Sequence, residues 1–276
     1  MKVIYILVMV LSIHLTAIAQ QNIRALDFKN FTYPAYCLSD EPENVTVKNG
    51  EFFKETQMED YVDRFYFNVF GIEYGDLTGD GNDEAIILTV CNTGGTGNFS
   101  EGYIYSMHNA GPKLITRIPG GDRAYGGLRT AKAENGFLIV ESNDVGETGG
   151  SCCPEFVVTT RYKVIGDKIV EAGKPTRRNL WPTDRVEFTK GSTGKTFNTT
   201  VRGGELRRFV VGARAGQSLM VSTDSAKVSL SLVEDARVTE GINNFTAKLP
   251  ISGDYTIVVQ NLADDDQTVT MNIKIN

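Results

Sequence analysis

Apolar and polar residues alternate in short runs over most of the first part of the chain, from about residue 27 to residue 178. Such alternation indicates strands with one face buried, and Phe65, Phe67 and Val69 share one face of such a run. The pairs Asn49-Gly50 and Asn135-Gly136 lie between runs and predict tight hairpin turns. No stretch has convincing helical periodicity. The pattern therefore predicts an antiparallel hairpin meander that is entirely β.

A second region of the same kind follows a change in composition. Residues 174–184 contain two prolines, two arginines and a tryptophan, and we interpret them as a linker. The alternation resumes with Val186-Glu187-Phe188 and continues through short runs to the end of the chain. Several short strands at this spacing are typical of a β-sandwich, here of jelly-roll type. We predict an all-β domain over 20–182 and a sandwich over 183–276.

One loop of the first domain places an oxygen-bearing side chain at every second position, between glycines and between two apolar runs. Its residues are Asp76, Thr78, Asp80, Asn82 and Glu84. Calcium prefers six to eight oxygen ligands, and the start of this spacing matches an EF-hand loop. The bidentate glutamate of a full EF-hand is absent, because Ile87 stands in its place. Two interpretations remain, a structural calcium site and a turn whose side chains bond only their own backbone.

This acidic loop resembles the D-x-N-G-D-G-x-x-D loops of FG-GAP and VCBS repeats, which join two strands in calcium-binding β-proteins. Thr78 replaces the asparagine of that pattern, and Glu84 replaces its last aspartate. The resemblance implies calcium as a structural cofactor held by the five side chains. No activated water partner is evident in the loop, so we expect no catalytic role for the ion.

The chain start has the pattern of a secretory signal peptide over residues 1–19, with Lys2, an apolar run and Ala17-Ile18-Ala19 as the cleavage pattern. No later segment is long and apolar enough to span a membrane. We therefore expect a periplasmic or secreted protein, a setting that favours disulfides. We predict that Cys37 and Cys91 each pair with one of Cys152 and Cys153. The sequence does not choose between the two connectivities.

Charge and side-chain chemistry exclude several classes of function. The formal net charge of −6 falls entirely before residue 183, since residues 183–276 hold equal numbers of acidic and basic side chains. An acidic first domain argues against nucleic acid and anionic membranes as partners. The predicted mature chain has one histidine, His108, and no nucleophile signature. Solvated surface charge explains the carboxylates better than a glycosidase pair does, so we predict that the protein is not an enzyme.

Two glycine-rich segments, 92–98 and 119–127, could line a binding surface because glycine permits close backbone approach. Asp122, Arg123 and Tyr125 are the polar and aromatic groups that such a surface would use. Plain surface loops are the other interpretation. These segments, with the acidic loop and Cys152-Cys153-Pro154, resemble an uncharacterised family of exported bacterial proteins. That resemblance implies no activity, and a cell-wall glycan is one partner that we consider.

The second domain resembles the periplasmic inhibitors of g-type lysozyme. The similarity covers nearly the whole domain and is carried by Val186-Glu187-Phe188-x-Lys190-Gly191, by Ala215-Gly216-Gln217 before a strand, and by Leu249-Pro250-x-Ser252-Gly253-x-Tyr255. The same skeleton is similar to bacterial pre-peptidase C-terminal domains, which are accessory modules. Scaffold similarity alone does not transfer function. The resemblance implies a lysozyme as partner, bound by loops inserted into its cleft.

The loops of this chain do not match that role well. The resemblance implies basic and tyrosine-bearing loops, whereas the loop at 260–267 carries three aspartates and no base, and the turn at 202–205 has no tyrosine. Like charges facing an acidic cleft would repel. Arg207 and Arg208 are the basic pair that could compensate. The sequence thus favours an exported, non-catalytic, calcium-stabilised binding protein of the bacterial envelope, with lysozyme inhibition or glycan binding as alternatives.

Overall fold

The computed structural model describes residues 22–37, 41–108, 111–146, 150 and 152–276, and the predicted signal peptide lies outside them. Regular structure in these ranges is almost entirely β-strand, with one short 3-10 turn at Ile23–Ala25. No helix among the described residues is long and apolar enough to cross a membrane. The predicted all-β fold class is confirmed.

A five-stranded antiparallel sheet forms the centre of the first half, in the order β3-β4-β5-β6-β7, and a two-stranded sheet of β1 and β2 lies beside it. The strands are β1 Thr32–Ala35, β2 Glu43–Thr46, β3 Glu51–Gln57, β4 Val62–Gly75, β5 Glu84–Asn92, β6 Phe99–His108 and β7 Gly111–Ile118. One face of the central sheet packs against the N-terminal segment through an aromatic cluster that includes Phe28, Tyr33, Phe67 and Tyr103. This cluster forms one hydrophobic core.

The other face of the central sheet is covered by a second sheet, which makes a separate core. Its strands are β8 Leu128–Glu134, β9 Phe137–Asp144, β10 Phe156–Ile165, β11 Lys168–Glu171 and β12 Thr176–Asn179. Ile86, Leu88 and Ile104 from the central sheet pack against Leu138 and Val140. Because both faces of β5 are covered, its sequence is a continuous apolar run from Ala85 to Leu88, and it does not alternate.

The last strands form two facing sheets around one core. They are β13 Thr183–Arg185, β14 Gly194–Val201, β15 Leu206–Ala213, β16 Ser218–Thr223, β17 Val228–Leu232, β18 Arg237–Gly241, β19 Asn244–Lys248, β20 Gly253–Asn261 and β21 Gln267–Ile275. The orders are β13-β15-β20-β17 and β14-β21-β16-β19-β18. Inward residues such as Phe209, Phe245, Tyr255 and Met271 fill the space between the sheets. β13 and β14 are edge strands of the two sheets in the described part of the chain.

Two local predictions are wrong, and a third is right for its turn but not for its strands, because local patterns do not select the strand partner that the tertiary structure supplies. Asn49 and Gly50 do form a turn with positive φ, but β2 before it pairs with β1 while β3 after it pairs with β4. The predicted linker at 174–184 contains β12, which pairs with β10, and the start of β13. The strand predicted at Val186–Phe188 instead ends at Arg185, since β13 follows β15 for only three residues.

Candidate functional site

The acidic loop connects β4 to β5 at the end of the central sheet, as the sequence predicts. Gly79 and Gly81 have φ of 80° and 84°, a left-handed conformation that glycine adopts without strain. Both carboxylate oxygens of Asp76 accept hydrogen bonds from these glycines, at 2.6 Å from Gly79 N and 2.9 Å from Gly81 N. Asp80 accepts from its neighbour Asn82 N at 2.8 Å. The loop therefore folds around its own carboxylates.

Glu84 behaves differently from the other carboxylates of the loop, because it is fully buried. Its Oε2 accepts hydrogen bonds from the backbone amides of Leu77 at 2.9 Å and Thr78 at 3.1 Å. Its Oε1 is buried and makes no hydrogen bond of normal geometry in the described chain. Burial raises the pKa of the Glu84 carboxyl, and the amides of Leu77 and Thr78 together with the side chain of Ser106 oppose that rise. Glu84 thus fixes the start of the loop from inside the protein.

The five predicted metal ligands are brought together only in part. Within the described ranges no group of three or more His, Cys, Asp or Glu side chains is arranged to hold a metal ion. The hydrogen bonds of Asp76 and Asp80 match the interpretation of a turn bonded to its own backbone. The side-chain atoms of the five residues that could ligate a metal are nevertheless all oxygens, which hard cations prefer. One of them, Glu84 Oε1, makes no hydrogen bond of normal geometry in the described chain. The chemistry of the residues fits calcium, although they do not already converge.

The two glycine-rich segments lie against each other. The Asn98 amide donates to the Asp122 carboxylate at 2.7 Å, and the Arg123 amide donates to the Asn98 carbonyl at 3.1 Å. Within the first segment, the Asn92 side chain donates to Gly97 O at 2.6 Å and to Asn98 Oδ1 at 2.9 Å. A Cβ at Gly121 would lie only 1.9 Å from the Tyr125 carbonyl, which explains the glycine there. The segments form one ordered surface.

Of the three binding candidates on this surface, two are used within the chain. Asp122 holds the Asn98 amide and lies 3.4 Å from the Arg123 guanidinium. Tyr125 is 54% exposed and is available to a partner. The sequence did not predict an exposed aromatic pair on the central sheet, Phe53 and Tyr66, whose stacked rings are 4.5 Å apart at their centroids. They face each other across β3 and β4, a pairing that the alternation of the two strands could have indicated.

The two candidate arginines of the sandwich each have a neighbour within the chain. Arg207 forms an ion pair with Asp184 at 2.6 Å. The Arg208 guanidinium lies over the Trp181 ring, 4.8 Å from its centroid. Both partners come from the segment predicted as a linker. The pair is therefore engaged with residues 181–184.

A cluster that the sequence did not predict joins the turn between β14 and β15 to the first half of the molecule. Glu205 in that turn has a side chain only 8% exposed and accepts from Arg129 at 2.9 Å and from Arg178 at 2.7 Å. Arg178 also lies 3.3 Å from Glu141. Asp264 and Asp266 line the same cleft, which has a volume of about 460 Å³. No local motif marks these residues, since they come from β8, β9, β12 and two turns.

The cysteines pair otherwise than predicted. Cys37 is bonded to Cys91, and Cys152 is bonded to its neighbour Cys153. Separate partners for Cys152 and Cys153 would require their side chains to point apart, as neighbouring side chains do on a strand. They lie instead in a turn before β10, so their side chains can meet each other. The Cys37–Cys91 bond fits an exported protein, since such bonds persist in oxidising compartments.

Comparisons with known proteins give a partial similarity. No protein-family model matches the chain, and no curated protein matches it. PliG of Aeromonas hydrophila, a periplasmic inhibitor of g-type lysozyme, is a solved structure with 19% identity and a TM-score of 0.32, covering 35% of this chain and 97% of that chain. PliG of Salmonella Typhimurium gives 22% identity and a TM-score of 0.31, covering 34% and 98%. At these values the similarity carries no argument about function.

Proposed function

We propose that this is an exported, non-catalytic binding protein of the bacterial envelope whose acidic loop takes a structural calcium ion. The observation that supports a calcium site is the buried Glu84 carboxylate, one oxygen of which makes no hydrogen bond of normal geometry in the described chain. A buried carboxylate whose oxygens are only partly hydrogen-bonded is costly, and a bound cation would lower that cost. Asp76 and Asp80 lie in the same loop and add negative charge.

The ion would stabilise one hairpin. Asp76, Asp80 and Glu84 would supply charge, while Thr78 and Asn82 would supply neutral oxygens. A ligand that binds only the folded state raises the free energy of unfolding, by about 1.4 kcal/mol when its concentration is ten times Kd. The loop joins β4 to β5, which form the longest strand pairing of the central sheet. Calcium binding would therefore raise the free energy of unfolding of the whole first half of the molecule.

Thermal melts in calcium, in magnesium and in chelator test this part of the proposal. We expect calcium to raise Tm and the change Asp76→Asn with Asp80→Asn to abolish the rise. Asp60→Asn is the matched control, because Asp60 is an exposed aspartate outside the loop. Identical melts in calcium and chelator, together with no heat of binding in calorimetry, would refute the calcium site.

For the binding role, a cell-wall glycan is the partner class that the exposed aromatic groups favour. Tyr125 on the glycine-rich surface is 54% exposed, and Phe53 beside Tyr66 is 50% exposed. Aromatic rings with nearby amide groups suit sugar rings, which have both apolar faces and hydroxyls. Sedimentation with purified peptidoglycan tests this. We expect retention of the full chain and its loss on Tyr125→Ala or on Phe53→Ala with Tyr66→Ala, whereas retention unchanged in all variants would contradict it.

Inhibition of a g-type lysozyme is the second candidate, and the sequence resemblance of residues 183–276 is what favours it. The charges argue against it, because the turn with Glu205 and the loop with Asp264 face Arg129 and Arg178 of the same chain. These two loops therefore already have a cationic partner inside the molecule. A lysozyme activity assay with the full chain decides the matter. We expect no stoichiometric inhibition, and inhibition lost on Arg207→Ala with Arg208→Ala would show the charge argument to be wrong.

A further inference from the structure

A pocket opens at the side of the sandwich where both sheets end, between the edge strands β13 and β14. We call it the edge pocket, and its volume is about 430 Å³. Small-molecule sites commonly have volumes of roughly 300–1,000 Å³. It is open because β13 follows β15 for only three residues and then leaves the sheet. β14 is the last strand of its own sheet among the strands that the structure describes.

The interior of the edge pocket is apolar and aromatic. Phe197 of β14 and Phe209 of β15 meet edge to face, with ring centroids 5.1 Å apart. Val186, which is buried, lies beside them in the lining. Phe209 belongs to the core of the sandwich, whereas Phe197 is only partly buried and packs against that core from the pocket side. The pocket thus offers an aromatic wall to any apolar group that enters it.

One polar group inside the edge pocket lacks a partner. Thr199 lines the pocket and is 7% exposed. Its hydroxyl oxygen is buried and has no hydrogen-bond partner among the residues that the structure describes. Buried hydroxyls are nearly always hydrogen-bonded, so one without a partner calls for a bound molecule or a water. Lys195, Phe197 and Thr199 lie at alternate positions of β14 and so share one face of the strand.

The mouth of the edge pocket is positively charged. Lys195, Arg185 and Arg207 line it, against one acidic residue, Asp184. Arg207 is held by Asp184 at 2.6 Å, and Arg185 is held by Asp254 at 2.8 Å. Lys195 forms no ion pair with any residue in the described part of the chain, and its ammonium lies 6.0 Å from the Phe197 ring centroid. The cation that remains available therefore stands over the aromatic wall.

We propose that the edge pocket binds a small amphipathic carboxylate, with its apolar body against Phe197 and Phe209 and its carboxylate at Lys195. Such a site needs an apolar wall and a cation at its rim that forms no ion pair. Phe197 and Lys195 supply them from alternate positions of β14. The Thr199 hydroxyl supplies a hydrogen bond inside. This site is independent of the acidic loop, since it lies in the sandwich and involves none of the loop residues.

Calorimetric titration of the full chain with decanoate and with 3-phenylpropionate distinguishes straight-chain from aromatic bodies. Decanol is the uncharged comparison for decanoate. We expect at least one carboxylate to bind with Kd below about 1 mM, more tightly than decanol does. Backbone amide shifts in NMR should change at Phe197 and Thr199. Absence of binding by both carboxylates at millimolar concentration overturns the proposal, and so does a decanoate that binds no more tightly than decanol binds.

Variants locate the binding at the edge pocket without disturbing the fold. Lys195→Ala should weaken carboxylate binding about fivefold, the size of an exposed ion pair, whereas Lys195→Arg should preserve it. Lys190→Ala is the matched control, because Lys190 is an exposed lysine outside the pocket lining. Lys195 is itself exposed, so loss of folding is not expected from its replacement. Carboxylate binding that is unchanged by Lys195→Ala would place the site elsewhere and overturn the proposal.

Discussion

Two glutamates of this protein, Glu84, which is fully buried, and Glu205, whose side chain is 8% exposed, are held in opposite ways. Glu84, at the end of the acidic loop, is bonded to the backbone amides of Leu77 and Thr78, which lie within seven residues of it. Glu205, in the turn between β14 and β15, is bonded to Arg129 and Arg178, which lie 76 and 27 residues away. The first glutamate shapes one loop, while the second joins two halves of the molecule.

The separation of two partners along the chain determines the consequence of losing one of them. Replacing a residue that is bonded only to its sequence neighbours affects the order of its own loop, because the chain itself keeps the ends of that loop close together. A residue that bonds two distant segments keeps them together, and its loss lets the chain gain the conformational entropy of their separation. The disulfides show the same contrast, since Cys37–Cys91 spans 54 residues and Cys152–Cys153 spans one.

The largest effect is expected from the long-range disulfide. Changing Cys37 and Cys91 to serine should lower the free energy of unfolding by about 4 kcal/mol, because the bond restricts a long loop of the unfolded chain. The same change at Cys152 and Cys153 should have almost no effect, since that bond closes no loop. Urea unfolding of both double variants under oxidising conditions measures the two values. Equal losses would contradict the contrast between long-range and local bonds.

Next in size is the loss of the interface glutamate. Glu205→Ala leaves Arg129 and Arg178 without their shared acceptor in a partly buried cleft, and we expect a loss of about 2–3 kcal/mol in the free energy of unfolding. Glu240→Ala is the control, because Glu240 is an exposed glutamate of the same sandwich. Urea unfolding should also resolve into two transitions as the halves uncouple. A loss as small as that of the control would show that the cluster does not join them.

A smaller effect is expected at the buried glutamate of the acidic loop. Glu84→Ala leaves the amides of Leu77 and Thr78 without an acceptor, which should cost about 1–2 kcal/mol. Removal of a buried carboxylate whose oxygens are only partly hydrogen-bonded offsets part of that cost. Glu73→Ala is the control, since Glu73 is exposed on β4 of the same hairpin. Chemical unfolding near neutral pH gives both values. A loss equal to that of Glu205→Ala would show that local and long-range bonds contribute equally to stability here.

The pH dependence of Glu84 has a definite sign. Because its pKa is raised in the folded state, the folded protein keeps this proton at pH values where the unfolded chain has lost it. The contribution of Glu84 is therefore most favourable below its unfolded pKa of about 4.5 and falls as pH rises through the folded pKa. Glu84→Gln should gain stability relative to wild type from pH 4 upward in chelator. Unfolding at several pH values with chelator checks this, and a constant difference would contradict it.

The smallest effect is expected at the exposed part of the loop. Asp76→Ala removes two hydrogen bonds to Gly79 N and Gly81 N in a solvent-exposed turn, which should cost about 1 kcal/mol without calcium. Asp60→Ala should cost almost nothing. Thermal melts of the two variants in chelator compare them directly. No difference between them would indicate that the loop conformation is set by its glycines alone.

Much of the fold could be predicted from the sequence, because its causes are local. Asn135 and Gly136 have the positive φ of a hairpin turn and join β8 to β9, as their order in the chain indicates. Phe65 and Phe67 share the buried face that their spacing predicts. The turn at Asn49-Gly50 was also correct, yet its flanking strands join different sheets, because turn chemistry does not select distant partners.

What the sequence alone determined is therefore the strand content, most turns, and the acidic loop between β4 and β5, since alternation, glycine and asparagine act over a few residues. The tertiary structure decided the pairing of the cysteines, the burial of Glu84 and the arginine partners of Glu205. It also decided the edge pocket, where Phe197 of β14 meets Phe209 of β15 across the sandwich. These features depend on which segments far apart in the chain come into contact. Sequence periodicity shows which face of a strand is buried, but packing of the whole core decides which other face it meets.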